Sequence, residues 1–192
     1  MIDFSKYTIE EHLHRYACWT AARAASTSRF SNDEVGAFIH GCNLRKNLEE
    51  LRNLHVVNHE IYRDWFIKQV NSLHECLAHY KNPKNADIHR VKEFGIAAKI
   101  VSIYIKTVEV LPSSGTSAVS IVAFPPVDSF LLKKLVGETG VEISNTAWSQ
   151  MNENDFMEII DKLKLIMGDE PFWKLEYYWN INSKADVAAS NL

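Results

Sequence analysis

Glycine is scarce in this sequence, with seven among 192 residues. That scarcity argues against loops that cradle phosphates. Neither GxxxxGK(S/T) nor GxGxxG occurs, and there is no GxSxG nucleophile elbow. Cysteine is rarer still. Cys18, Cys42 and Cys76 are odd in number and show no CxxC spacing, which argues against a disulfide framework or a four-cysteine metal or iron–sulfur site. Each lies among helix formers and reads as a small core residue in a reducing, cytoplasmic setting. Long apolar runs are also missing. Stretches such as Ile100–Ile105 are too short to cross a bilayer and carry polar residues. The start, Met1-Ile2-Asp3-Phe4, lacks the basic and apolar regions of a signal peptide, so neither membrane insertion nor export is expected. Excess positive charge is absent, the formal net charge being -3. A uniformly basic coat is therefore excluded, while a local basic groove is still compatible with that balance.

What the chain does have is core material. Hydrophobic residues make up 46% of it, with five Trp, seven Tyr and nine Phe. This is enough to fold one domain with large aromatic members. Helix signals run along the chain. Thr8-Ile9-Glu10-Glu11 and Ser31-Asn32-Asp33-Glu34 are capping boxes. The first opens an Ala-rich helix to about Ser26, and the second a short helix ended by Gly41. Leu44, Leu48 and Leu51 stand at helical spacing. Asn58 caps a long helix carrying Ile61, Trp65, Val70, Leu73 and Leu77, stopped by Asn82-Pro83. A further helix opens at Asn85 or Asp87 and runs to about Thr107. Pro112–Ser117 is the clearest loop, and Ala118–Phe124 the only strand-like stretch. Pro125-Pro126 leads into a helix over Val127–Val136. Asn145 or Thr146 begins a short turn or helix through Met151, Asn154 caps a helix ended by Gly168, and Pro171 starts an aromatic helix over Phe172–Trp179. The expectation is an all-α fold of about eight helices. Residues 1–181 form a single domain and 182–192 a loose polar tail.

Three constellations have chemical content. On the first helix, at about 100° per residue, His12, Arg15, Tyr16, Trp19 and Arg23 share a stripe opposite Ala17 and Ala21. Two guanidinium groups beside aromatic rings suit an anion or a stacked base, although amphipathic surface packing gives the same pattern. Lys92, Lys99 and Lys106 recur every seven residues and share a face with Gly95 and Ser102. This is either a solvated lysine row or a set of phosphate contacts, with small residues leaving room for another backbone. Asp128 follows two prolines at the first turn of a helix, either favouring the helix dipole or held as a fixed carboxylate in a cleft. His55 and His59 have the i,i+4 spacing of a helical metal pair, but no third ligand shows a diagnostic spacing, so no metal and no cofactor is expected.

Gly95-Ile96-Ala97-Ala98-Lys99-Ile100-Val101-Ser102 followed by Pro126-Val127-Asp128-Ser129-Phe130-Leu131 resembles the helix-hairpin-helix DNA glycosylase superfamily. That family carries G-V-G-x-K-(T/V)-A and then V-D-(T/V)-x-(V/M). The resemblance covers residues 95–135, and Ala97 stands where the family has its second hairpin glycine. It implies an all-helical fold that binds DNA, with Lys99 as an amine nucleophile on the sugar and Asp128 as the activating carboxylate. Arg15, Trp19, Arg23, Lys92 and Lys106 are then the nucleic-acid or anion-binding residues. The alternative from the residues themselves is a non-catalytic interaction module. It would be a homo-oligomer or a subunit that docks through the aromatic face of Phe172–Trp179.

Overall fold

The computed structural model describes residues 7–25, 31–79, 94–143 and 147–179. Among them the secondary structure is helical, with no strand. Helix α1 spans Ile9–Ala24, α2 Asn32–Gly41, α3 Leu44–Arg52 and α4 His59–His79. Helix α5 spans Phe94–Ile105 and runs into a π-helical turn, Lys106–Val110. Then come α6 (Ala118–Val122), α7 (Ser129–Thr139), a 3-10 turn at Trp148–Gln150, α8 (Glu153–Met167) and a 3-10 segment, Phe172–Tyr178. No helix among the described residues is long and apolar enough to cross a membrane.

Helix α5 is the axis of the fold. Apart from Ile103, every residue from Phe94 to Ile105 is buried, as expected of a helix that is apolar all round. Helices α1, α4 and α8 pack around it. Ala17 and Ala21 of α1 are fully buried, and their small side chains let α1 lie close to a neighbouring helix. On the other side an aromatic cluster closes the core. Phe124 stands edge-on to both Tyr62 and Phe66 at 5.1 Å and meets Phe172 at 5.8 Å. Val127 is also buried. The segment Pro125-Pro126 is therefore pinned at both ends.

Several local expectations change on contact with tertiary structure. Ala118–Val122 is helical rather than strand-like. Ser117 caps it by accepting from the Ser120 N–H, and the buried Val119 and Val122 outweigh their β preference. Asp128 lies one residue before α7, as its N-cap, not within its first turn. The cap of α8 is Asn152, in a reciprocal box with Asp155, rather than Asn154. Thr8 does accept from Glu11 N, but the Glu11 carboxylate turns away to Arg15 and Arg45. The box is therefore half formed. Helix α2 does end at Gly41, but it is Asn43, two residues on, and not the glycine that takes the left-handed position. The final aromatic stretch is 3-10 rather than α. The helix starts expected at Asn85 or Asp87 and at Asn145 or Thr146, the stop at Asn82-Pro83 and the tail 182–192 lie outside the described residues.

Where α1 meets α5, His14 Nδ1 and the Tyr104 hydroxyl are 2.8 Å apart. Burial, and secondarily the charge of Arg45, push the His14 imidazole pKa below its ordinary value. The unfolded chain therefore takes up this proton more readily than the folded one. Stability contributed here is complete above the ordinary histidine range and declines as pH falls through about 6.5. The urea midpoint is expected to drop between pH 7.5 and 5.5, and to drop less in His14→Gln. An equal drop in both proteins would contradict this assignment.

Candidate functional site

Two elements far apart in sequence converge on one hollow. Lys99 projects from the buried axis helix α5. Asp128 is delivered by the prolyl segment that Phe124 and Val127 anchor. Lys99 Nζ lies 3.2 Å from Asp128 Oδ2, and the two side chains are only 11% and 14% exposed. The other carboxylate oxygen, Asp128 Oδ1, accepts from Phe130 N at 3.1 Å and Leu131 N at 3.0 Å. The carboxylate is thus clamped by the N-terminus of α7, whose dipole favours a negative charge there. Beneath the ammonium lies Trp148, with Nζ 4.3 Å from the ring centroid. The lysine is held by a carboxylate on one side and an aromatic face on another.

The hollow beside this pair has a volume of about 270 Å³. Ile103, Pro125, Pro126 and Leu131 form much of its apolar wall. Arg23 from the end of α1, Lys106 from the π-helical turn, and Glu176 and Trp179 from the C-terminal segment complete the rim. Lys106 Nζ lies 2.7 Å from Glu176 Oε2. The π-turn starts at Lys106, whose carbonyl accepts from Leu111 N at 3.0 Å. Such turns widen a helix locally and are frequent where a helix meets a site.

The residues singled out in the sequence divide accordingly. Lys99, Asp128, Arg23 and Lys106 line one cavity. Trp19 stands outside it and carries the Arg23 guanidinium 5.7 Å from its ring centroid. Arg15 is not part of the lining. It pairs with Glu11 at 2.7 Å and lies over the Tyr7 ring. Lys92 lies outside the described residues. At Lys99 and Lys106 the row is not a solvated face, because Lys99 is buried and both have carboxylate partners. Gly95 does make room for another backbone, but that backbone is the chain's own. Gly95 N donates to Met151 O at 3.0 Å, and a Cβ at Gly95 would stand 1.9 Å from the Trp148 carbonyl oxygen. The face of Gly95 is therefore closed to a phosphodiester.

Trp148 and Glu176 were not singled out from the sequence. Neither has a motif around it, and each is brought to its lysine only by long-range packing. His59 packs edge-on against Phe172 at 5.3 Å. Among the described residues no group of three His, Cys, Asp or Glu is placed to hold a metal ion. Cys18 and Cys42 are buried, and burial pushes each thiol up to about 11. Both are thus inert as nucleophiles near neutrality. Compared with family models, with curated proteins and with solved structures, the chain matches none significantly.

Proposed function

We propose that the Lys99–Asp128 cleft binds DNA and acts on a deoxyribose by the lysine–carboxylate base-excision chemistry that residues 95–135 resemble. The observation that carries this reading is the 3.2 Å approach of Lys99 Nζ to Asp128 Oδ2 inside a mostly apolar hollow rimmed by Arg23 and Lys106. A lysine used only for surface charge has no need of a buried carboxylate and a Trp beneath it. An amine nucleophile needs a partner that can take its proton and walls that exclude water.

The chemistry balances on these groups. One proton passes from Lys99 to Asp128 along their contact, leaving an amine with a free electron pair. That pair forms a bond to C1′ of the sugar as the C1′–N bond breaks, its electrons leaving with the base. The departing base takes a proton from water. The nitrogen sheds a further proton to solvent, and its remaining pair then opens the sugar ring as the C1′–O4′ bond breaks. O4′ takes the proton held by Asp128, which leaves a protonated imine and a restored carboxylate. At an abasic aldehyde the same amine forms the imine with loss of water. The target nucleotide must leave the base stack to reach such a hollow.

The test is borohydride trapping on an oligonucleotide that carries one abasic aldehyde, read as a protein–DNA adduct on a denaturing gel. The wild-type protein is expected to give the adduct. Lys99→Met, shown to be folded by circular dichroism, is expected to give none, while Lys133→Met, at an exposed position away from the cleft, retains it. An undiminished adduct in Lys99→Met would overturn the reading.

A second reading has its own observation. Tyr177 and Trp179 are 79% and 51% exposed, and an open groove runs past Met167, Trp173, Tyr177 and Tyr178. An interaction module that docks a second copy or another protein through this face would bury those rings. Sedimentation equilibrium separates the cases. Association abolished by Tyr177→Ser would favour the module.

A further inference from the structure

The rim of the cleft has an uneven charge balance. Arg23, Lys99 and Lys106 stand against Asp128 and Glu176. Asp128 answers Lys99 and Glu176 answers Lys106, whereas Arg23 has no carboxylate partner among the described residues. Its guanidinium lies over the Trp19 ring, 5.7 Å from the centroid. The two rim cations differ in a second way. Arg23 is exposed, while Lys106 and Glu176 are each under a third exposed. Glu176 also belongs to the same wall as Leu175 and Trp179, so its contact with Lys106 ties the C-terminal segment across the hollow.

We infer that Arg23 and Lys106 form a phosphate subsite of the cleft, and that Glu176 occupies half of it in the free protein as a carboxylate stand-in. A guanidinium and an ammonium on one rim suit a group with several anionic oxygens, the first as a planar fork and the second as a point charge. The ligand class is a phosphate borne on a sugar, with the sugar toward Lys99 and the phosphate toward the rim. Its identity as DNA rests on the reading of Lys99 above, but the subsite itself stands on the rim charges. Binding then exchanges one anion for another at Lys106. The ligand phosphate displaces the Glu176 carboxylate, and the Leu175–Trp179 wall is released with it. The free protein screens its own site, so a ligand without a phosphate has nothing with which to replace Glu176.

The experiment uses the full chain and a fluorescent single-stranded oligonucleotide that carries one tetrahydrofuran residue. This abasic analogue lacks the aldehyde and cannot form an imine. Affinity is measured by anisotropy across a salt series. Glu176→Gln is expected to bind about two- to fivefold more tightly, the range of a partly exposed ion pair. Its plot of log affinity against log salt should also steepen, because a solution anion, rather than Glu176, now leaves Lys106. Both effects should vanish in the Lys106→Met background. Glu170→Gln removes the same charge from the neighbouring Lys174 pair and is expected to change neither. An unchanged affinity in Glu176→Gln, or an equal gain in Glu170→Gln or in the Lys106→Met background, overturns the inference. Calorimetry with 2-deoxyribose 5-phosphate in parallel distinguishes the source. Binding of this sugar phosphate without the strand keeps the subsite and assigns it to a free ligand, and binding of neither overturns it. The expected Glu176 pattern without a borohydride adduct would remove the Lys99 chemistry and keep the subsite. An adduct without the pattern would do the reverse.

Discussion

Asp128→Ala is expected to destabilise the fold by about 3–5 kcal/mol, far more than an exposed carboxylate would. Two losses combine. The α7 N-terminus loses its side-chain cap, which is worth about 1 kcal/mol, since Asp128 Oδ1 serves both Phe130 N and Leu131 N. The larger loss comes from Lys99, which is left as an uncompensated cation in a site where its side chain is 11% exposed. Asp128→Asn separates the two. Asparagine caps a helix as well as aspartate does, so the cap survives and only the charge pairing is lost. Its cost is expected to be smaller, about 1–3 kcal/mol. Adding Lys99→Met to Asp128→Asn removes the orphaned cation and leaves an apolar chain over the Trp148 ring. The double variant is therefore expected to recover most of the single variant's loss. Urea denaturation at pH 7 gives all three values. If Asp128→Ala falls within experimental error of the wild type, the pair is open to water and the dry-cleft description fails.

Gly95→Ala is the second large effect. The added methyl would lie 1.9 Å from the Trp148 carbonyl oxygen and 3.1 Å from the carbonyl carbon. The clash is with backbone, so no rotamer change relieves it. The Trp148–Gln150 turn must move away from α5, breaking the bond from Gly95 N to Met151 O. The expected cost is about 3 kcal/mol or more, at the upper end for overpacking. The same displacement would carry the indole away from Lys99, so the variant is also expected to shift Trp fluorescence before unfolding. A wild-type urea midpoint with an unchanged emission spectrum would show that the turn yields freely and does not support Lys99.

Features that depend on neighbours in the chain were legible from the sequence. Ser31 with Glu34, the Asn58 cap, the Leu44–Leu48–Leu51 spacing and the stop at Gly168 all act over a few residues, and the structure shows each of them. Segments settled by tertiary contacts were not legible. Ala118–Val122 has the composition of a strand and is helical because of its cap and its buried valines. Phe172–Tyr178 has the aromatic pattern of an α-helix and adopts 3-10 geometry. The site divides along the same line. Lys99 and Asp128 could be paired through a resemblance that spans their separation, and the double proline marked Asp128 as a rigid position. Trp148 and Glu176 complete the site from segments with no motif of their own. The glycine that looked like room for a ligand backbone is filled by the chain itself, which spacing alone cannot distinguish.

The most direct measurement is peptide mapping by mass spectrometry of protein reduced with borohydride in the presence of the abasic-aldehyde oligonucleotide and then digested with nuclease and protease. A sugar remnant on the peptide containing Lys99, stoichiometric with the adduct on the gel, is the result the account requires. A remnant spread over surface lysines such as Lys46 and Lys133, with Lys99 unmodified, would contradict it.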